Sequence, residues 1–226
     1  DQVKMVDAVP VTFQTTEAND FKATVEQLEA ARTEKTKLIL LNSPSNPTGM
    51  IYSREELEAI GAWALEHDIL ILADDIYGRL VYNGHEFTAI SSLSDALRKQ
   101  TIVVNGVSKT YAMTGWRVGF AVAEPEIIAG MAKIISQTTS NLTAVSQYAA
   151  IEALTGDQSS IETMRQAFEE RLNTIYPLLA EIPGFEVIKP QGAFYLFPNV
   201  KKAMEMKGFT DVTEFTNALL EEAEVA

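Results

Sequence analysis

Apolar positions follow two rhythms along the chain. Short unbroken runs come first: Leu38-Ile39-Leu40-Leu41, Ile69-Leu70-Ile71-Leu72-Ala73 and Thr101-Ile102-Val103-Val104. A Pro- and Gly-rich stretch closes the first, Asp74-Asp75 the second and Asn105-Gly106 the third. Such runs predict strands buried on both faces of a sheet. Between the first two, Ser53-Arg54-Glu55-Glu56 has the form of a capping box, and Leu57, Ile60, Trp63 and Ala64 follow at helical spacing up to His67. Strand 38–42, helix 53–67 and strand 69–73 then form one βαβ unit with parallel strands and a right-handed crossover. The polar stretch 83–100 predicts a hairpin turn at Asn83-Gly84 and a short helix over Ser92–Lys99.

The second rhythm dominates the C-terminal third. Met164, Phe168, Leu172, Ile175 and Leu179 lie at spacings of four, four, three and four within Ser160–Ile182, which reads as one long amphipathic helix ended by Pro183-Gly184. Phe185–Ile188 and Ala193–Phe197 read as two short strands around Lys189-Pro190-Gln191-Gly192, and Val212–Glu222 as a last helix. Helix, strand, strand and helix imply a smaller α+β unit. The boundary falls inside the long helix, giving a larger unit over 1–165 and a smaller one over 166–226.

Composition narrows the function classes. Hydrophobic residues make up 46% and charged residues 22% of the 226, which argues for a packed core and against disorder. No apolar run approaches the ~18–20 residues of a membrane span. The net charge of −13 opposes binding to nucleic acid. The absence of cysteine excludes disulfides, thiolate metal sites and a cysteine nucleophile, and fits a reducing, cytoplasmic compartment. Two isolated histidines, His67 at a helix end and His85 beside a turn, make no metal site. His67 reads as a surface histidine favoured by the helix dipole, and the acidic run Glu221-Glu222-Ala223-Glu224 as a solvated helix face. The first residue is Asp1, with no initiator Met, and the last three residues read as the start of another strand; both features point to a piece of a longer protein.

In an open parallel sheet, ligands bind beyond the carboxyl ends of the strands. Asn46-Pro47-Thr48-Gly49 follows the first strand; Asp74, Asp75 and Tyr77 follow the second; Ser108, Lys109 and, eight residues on, Arg117 follow the third. Each has an ordinary structural reading alone: a turn, a cap, a surface amine, an ion pair. Together they bring an amide, a carboxylate, a phenol, an amine and a guanidinium to one edge, a set suited to a small, flat, phosphorylated ligand. Successive residues of a strand face opposite ways, so Asp74 and Asp75 cannot both address that ligand.

These motifs identify a resemblance. Asn46-Pro47-Thr48-Gly49, Ala73-Asp74-Asp75-Ile76-Tyr77 and the segment Ser108–Gly119, with Gly192-Ala193-Phe194-Tyr195 further on, resemble the signatures of class I/II aminotransferases, above all the bacterial aspartate aminotransferase branch. The resemblance implies an α/β fold, with a mostly parallel sheet carrying helices on both faces plus part of a smaller α+β domain, and a pyridoxal 5′-phosphate cofactor. It implies that Lys109 forms the Schiff base and moves the proton between substrate and cofactor. Asp74 would pair with the pyridine nitrogen and keep the ring an electron sink. Tyr77 and Asn46 would bind the 3-oxygen, and Arg117 the phosphate. Ser108 joins the cofactor-binding set through its adjacency to Lys109. Asn46-Pro47 is the expected cis peptide. The resemblance leaves Asp75 to solvent or a local cap. It also implies amino-acid and 2-oxo-acid substrates, with aspartate the expected donor, and a homodimeric parent.

The chain departs from the family pattern at two places. Gly106 stands where a phosphate-binding hydroxyl is common, and Leu142 follows Asn141 where proline is common, in a segment that approaches a partner subunit. The family's phosphate-binding Gly/Ala loop, the ring-stacking aromatic and the substrate-carboxylate arginine fall outside residues 1–226, as do strands of its sheet. One of those strands would separate Val9–Phe13 from the first strand, leaving 38–42 an exposed edge. The 226-residue chain alone is therefore expected to bind the cofactor poorly and to show no turnover. Two alternatives keep parts of this reading: a pyridoxal-phosphate lyase acting at the α or β carbon, and a non-catalytic ligand-sensing domain.

Overall fold

The structure is a computed structural model that describes residues 2–225. Its centre is a four-stranded sheet in the order β1-β2-β3-β4, with β1 at Leu38–Asn42, β2 at Leu70–Asp74, β3 at Thr101–Gly106 and β4 at Gly119–Val122. The first three strands run parallel in the register Leu41↔Ala73↔Val103, and β4 returns antiparallel with Gly119 opposite Gly106. The three strands and the crossover read from the pattern are therefore present, and β4 is added to them. Four residues at 119–122 are too few to show a period of their own.

One face of the sheet is packed well. Helices α1 (Gln2–Met5) and α2 (Val25–Ala31) precede β1, and α3 (Arg54–Glu66) connects β1 to β2. Ser53 caps α3 as expected: its hydroxyl accepts from the Glu56 amide at 3.2 Å, and the Glu56 carboxylate accepts from the Ser53 amide at 2.7 Å. Leu57, Ile60, Trp63 and Ala64 then bury against Leu41, Ile71 and Ala73 of the sheet. Leu97 of a short helix α4 (Asp95–Gln100), with Ile90 from the 3-10 turn that precedes it, seals this core. Coverage is uneven, for on the other face Leu40 of edge strand β1 is 69% exposed.

Beyond β4 come α5 (Pro125–Thr138), α6 (Ala144–Thr155), the long α7 (Ser159–Ala180), α8 (Lys201–Lys207) and α9 (Val212–Ala223). Helices α7 and α9 match the predicted spans to within two residues.

Three predicted extended elements do not form strands. Residues Val9–Phe13 are irregular and exposed, with no sheet partner among the described residues. Phe185–Ile188 contributes a single antiparallel bridge, Glu186 to Asn199. Ala193–Phe197 cannot continue as a strand because Ala193 adopts a left-handed backbone, φ +59°, and the next residue after the segment, Pro198, has no N–H for a ladder. Asn83-Gly84 makes a turn with both φ angles positive, but no paired strands flank it as a hairpin. Two proline bonds are cis, the expected Asn46-Pro47 and also Ser43-Pro44.

The extended segment after α7 instead docks on the loops that follow β1 and β2. The Gln191 and Gly192 amides donate to the Gly49 carbonyl at 3.0 and 2.9 Å, and the Ala193 amide donates to the Leu80 carbonyl at 2.9 Å. The Gln191 side chain accepts from the Ile51 amide, and the Tyr82 hydroxyl donates to the Ala193 carbonyl. Two glycines make this approach possible. A Cβ on Gly49 would lie 2.6 Å from Pro190 Cβ, and one on Gly192 would lie 2.8 Å from the Leu80 carbonyl oxygen. Gly49→Ala is expected to cost roughly 2–4 kcal/mol, the sum of a left-handed backbone and an overpacked contact. Gly84→Ala has a similar φ but open space around it, so only about 1–2 kcal/mol is expected. Urea unfolding of both variants checks the difference; equal losses would show that the docking contact is not tight.

Candidate functional site

The site is assembled at the carboxyl edge of β1, β2 and β3. Asn42, the last residue of β1, ties its first two loops together. Its amide donates to the Asp74 carbonyl at 3.0 Å, and its side-chain oxygen accepts from the Asn46 amide at 2.8 Å. Asp74 ends β2 with its carboxylate accepting from the Ile76 amide at 3.2 Å. Three residues on, Tyr77 is buried in a cluster with Leu80, Tyr82, Leu172 and Ala193. After β3 the chain turns tightly on the fully buried Val107, whose carbonyl accepts from the Tyr111 amide. That turn holds Lys109 half-buried, its Nζ 5.7 Å from the Tyr77 ring centre and 5.2 Å from that of Phe194.

Tyr77 is the point these residues share: Lys109 approaches its ring, Asn46 reaches it through Tyr195, and the Asp74 charge acts on its phenol. The Tyr77 hydroxyl lies 2.6 Å from the Tyr195 hydroxyl, which also accepts from the Asn46 side-chain amide at 3.3 Å. Burial, the adjoining Tyr195 and the Asp74 charge raise the Tyr77 phenol well above its ordinary range. The phenol therefore keeps its proton and acts as a hydrogen-bond donor or acceptor, not as an anion.

Arg117 and Ser108 stand apart from this group. Arg117 is exposed in a left-handed backbone, and its guanidinium donates back to the Thr114 carbonyl at 2.9 Å. Ser108 makes no side-chain hydrogen bond among the described residues. Gly106 has a local reason for lacking a side chain: a Cβ there would lie 2.8 Å from the Val118 carbonyl oxygen, where β4 crosses close. Any hydroxyl residue at this position would have to move that backbone.

Asp75 is a correction. It is buried, not solvated and not a cap, and its carboxyl is pushed up to about 7 by burial and by the neighbouring Asp74 charge. His67 is a second correction. It is half-buried, packs edge-on to Trp63 and pairs with Glu29 at 3.3 Å. Glu29 also accepts from Arg32 and from the Trp63 indole, and these partners hold its carboxyl down at about 2. This cluster lies between α2 and the end of α3, apart from the lysine.

Asn42, Phe194 and Tyr195 are the site residues that strand-end reasoning missed. Asn42 is the last residue of a strand already identified. Tyr195 closes the Gly192–Tyr195 motif but carried no assigned role, because nothing in the linear pattern links it to Tyr77, 118 residues away.

A lysine, a strand-end carboxylate and a buried tyrosine on one edge of a mostly parallel sheet define the class. The chain belongs to the aminotransferase class I and II family, whose model matches residues 1–226. It is 75% identical over its whole length to the asparagine–oxo-acid transaminase of Streptococcus mutans, and 55% identical to an aspartate aminotransferase of Bacillus sp. strain YM-2. The chain spans 58% of the length of each of these relatives. The crystal structure of the Rhizobium meliloti aspartate aminotransferase superposes with a TM-score of 0.93 at 37% identity, covering 99% of this chain and 57% of that one. Enzymes of this family depend on pyridoxal phosphate. The donor set fits that group: Lys109 offers an amine, Asp74 a carboxylate, and Tyr77 and Asn46 neutral donors beside it.

Among the described residues no group of His, Asp and Glu could hold a metal ion, and no helix is long and apolar enough to cross a membrane.

Proposed function

We propose that this chain carries the lysine-bearing part of an enzyme that moves an amino group between an amino acid and a 2-oxo acid. The observation that supports this most is the approach of Lys109 to Tyr77, with Asn46 hydrogen-bonded into the same tyrosine pair. Lys109 would hold pyridoxal phosphate through its amine, and Asp74 would keep the cofactor's ring nitrogen protonated. Tyr77 and Asn46 would donate to the 3-oxygen. Arg117 would clamp the phosphate, and Ser108 belongs to the same binding set. The cofactor, when bound, supplies an electron sink that stabilises charge at the substrate α-carbon. Lys109 would also be the base that holds and moves the proton at that carbon. The low exposure of Tyr77 and of the turn at Val107 limits water around the amine.

Aspartate is the donor we propose. Asparagine is a second reading, favoured by the 75% identity to an asparagine–oxo-acid transaminase. The division into units 1–165 and 166–226 belongs to the same proposal; it is supported by a sheet whose four strands all precede residue 165. So do a cytoplasmic location and a homodimeric parent.

The test is product analysis with the 226-residue chain and, in parallel, the full open reading frame that encodes it. Aspartate, asparagine and a 2-oxo-acid acceptor are supplied with pyridoxal phosphate. Transamination yields the acceptor's amino acid from the full reading frame and no turnover from the 226-residue chain alone. Release of pyruvate and a leaving group would replace this reading by a lyase. Ligand binding with no product would replace it by a sensing domain.

A further inference from the structure

Tyr195 has no assigned part in the reaction, yet its hydroxyl lies within hydrogen-bond distance of both Tyr77 and Asn46. The backbone aims it there. Ala193 is fully buried in its left-handed conformation, and Gly192 lies against the Leu80 carbonyl, so the chain reverses and sends the next two aromatic rings toward Lys109. Phe194 meets the Lys109 amine at 5.2 Å, and Tyr195 stands edge-on to Tyr77 with ring centres 5.8 Å apart.

Donor counting gives the hydrogen bonds a direction. The Asn46 side-chain amide has two N–H donors, and one is given to the Tyr195 oxygen. Each phenol has a single proton. If Tyr77 donated to Tyr195, its proton would be spent and none would remain for a ligand. An oxygen that already accepts from an amide is also the better donor of its own proton. The consistent arrangement is Asn46 donating to Tyr195, Tyr195 donating to Tyr77, and the Tyr77 proton and second Asn46 N–H left free. Both free donors then serve one acceptor.

We infer that Tyr195 is a positioning residue, which turns the Tyr77 hydroxyl and the Asn46 amide toward the 3-oxygen of the cofactor. This rests on the proposed function, because the acceptor is the cofactor's. Hydrogen bonds donated to that oxygen stabilise its negative charge. They thereby favour loss of the proton shared between the oxygen and the nitrogen that links Lys109 to the cofactor. Disorienting the donors raises the pH at which that proton leaves.

The test is a pH titration of the visible absorbance of the cofactor-loaded protein from the full reading frame, comparing wild type, Tyr195→Phe, Tyr77→Phe and the double variant. Tyr195→Phe is expected to raise the absorbance midpoint by roughly half to one pH unit, the size carried by one neutral hydrogen bond. In the Tyr77→Phe background the same change is expected to produce less than half that shift, since Tyr195 acts largely through Tyr77. An unchanged midpoint in Tyr195→Phe, or an equal shift in both backgrounds, overturns the positioning role and leaves the proposed function standing. Absence of any cofactor band in the wild type overturns both. Phe preserves the ring packing, and an unaltered thermal midpoint separates the effect from misfolding.

Discussion

Lys109→Ala in the full reading frame is expected to reduce amino-group transfer by roughly 10²–10⁴ or more, the contribution of a positioned acid–base group. The amine stands alone in its place. It is half-buried in the turn on Val107, and among the described residues no other cation lies against the Tyr77 or Phe194 rings. The substitution should leave the fold intact, because the turn is held by backbone bonds to Val107 and by the bond from its amide to the Val118 carbonyl, not by the lysine side chain. Lys109→Arg is expected to be as inactive, since a guanidinium keeps its proton and is a poor nucleophile. Turnover within tenfold of wild type in either variant would remove Lys109 from the proposed chemistry. The measurement is steady-state transfer under saturating cofactor, with circular dichroism to confirm folding.

Asp75→Asn is expected to stabilise the protein at neutral and alkaline pH. Asp75 is a buried residue whose carboxyl makes no side-chain hydrogen bond among the described residues and keeps only slight solvent contact, and the Asp74 charge adjoins it. Its folded pKa of about 7 lies above the ordinary carboxylate range. Between about pH 4 and 7 the folded state therefore binds more protons at this site than the unfolded state, and stability falls as pH rises through that window. Above pH 7 the whole penalty is present. A shift of this size corresponds to a ceiling of about 4 kcal/mol, and relaxation around the charge leaves roughly 2–4 kcal/mol for the variant to recover. Below about pH 4 the two proteins should be equally stable, since both side chains are then neutral. Thermal unfolding at pH 4, 6 and 8 checks this. A stability difference independent of pH would mean that Asp75 is held by contacts indifferent to its charge.

What was legible in the sequence was what local chemistry decides. Apolar runs at 38–41, 69–73 and 101–104 marked strands, although the first is not buried on both faces, since Leu38 and Leu40 of edge strand β1 are exposed; the Ser53–Glu56 cap marked the start of α3 because its bonds are local. The site residues at strand ends followed from the direction of a parallel sheet. What failed was decided at long range. Ala193–Phe197 is a short apolar run like those of the strands, yet its first amide goes to Leu80 and not to a ladder, and a left-handed Ala193 breaks the extension. Asp75 reads as a solvent-facing acid, but its amide still donates to the Val104 carbonyl of β3, so the residue directly after β2 stays bound to the sheet and buried. His67 looks like a helix-end histidine until α2, with no strong pattern of its own, brings Glu29 beside it. Tyr195 lay inside a motif already noted, and its role depended on a fold that joins it to Tyr77.

The central claim is that one amine, Lys109, holds the cofactor among Asn46, Asp74 and Tyr77. The most direct measurement is borohydride reduction of the protein from the full reading frame after incubation with pyridoxal phosphate, followed by peptide mapping. The account predicts a single labelled peptide, carrying the reduced cofactor on Lys109 and missing from Lys109→Ala. Label on a different lysine, or spread across many, in a protein that still transfers amino groups would contradict it.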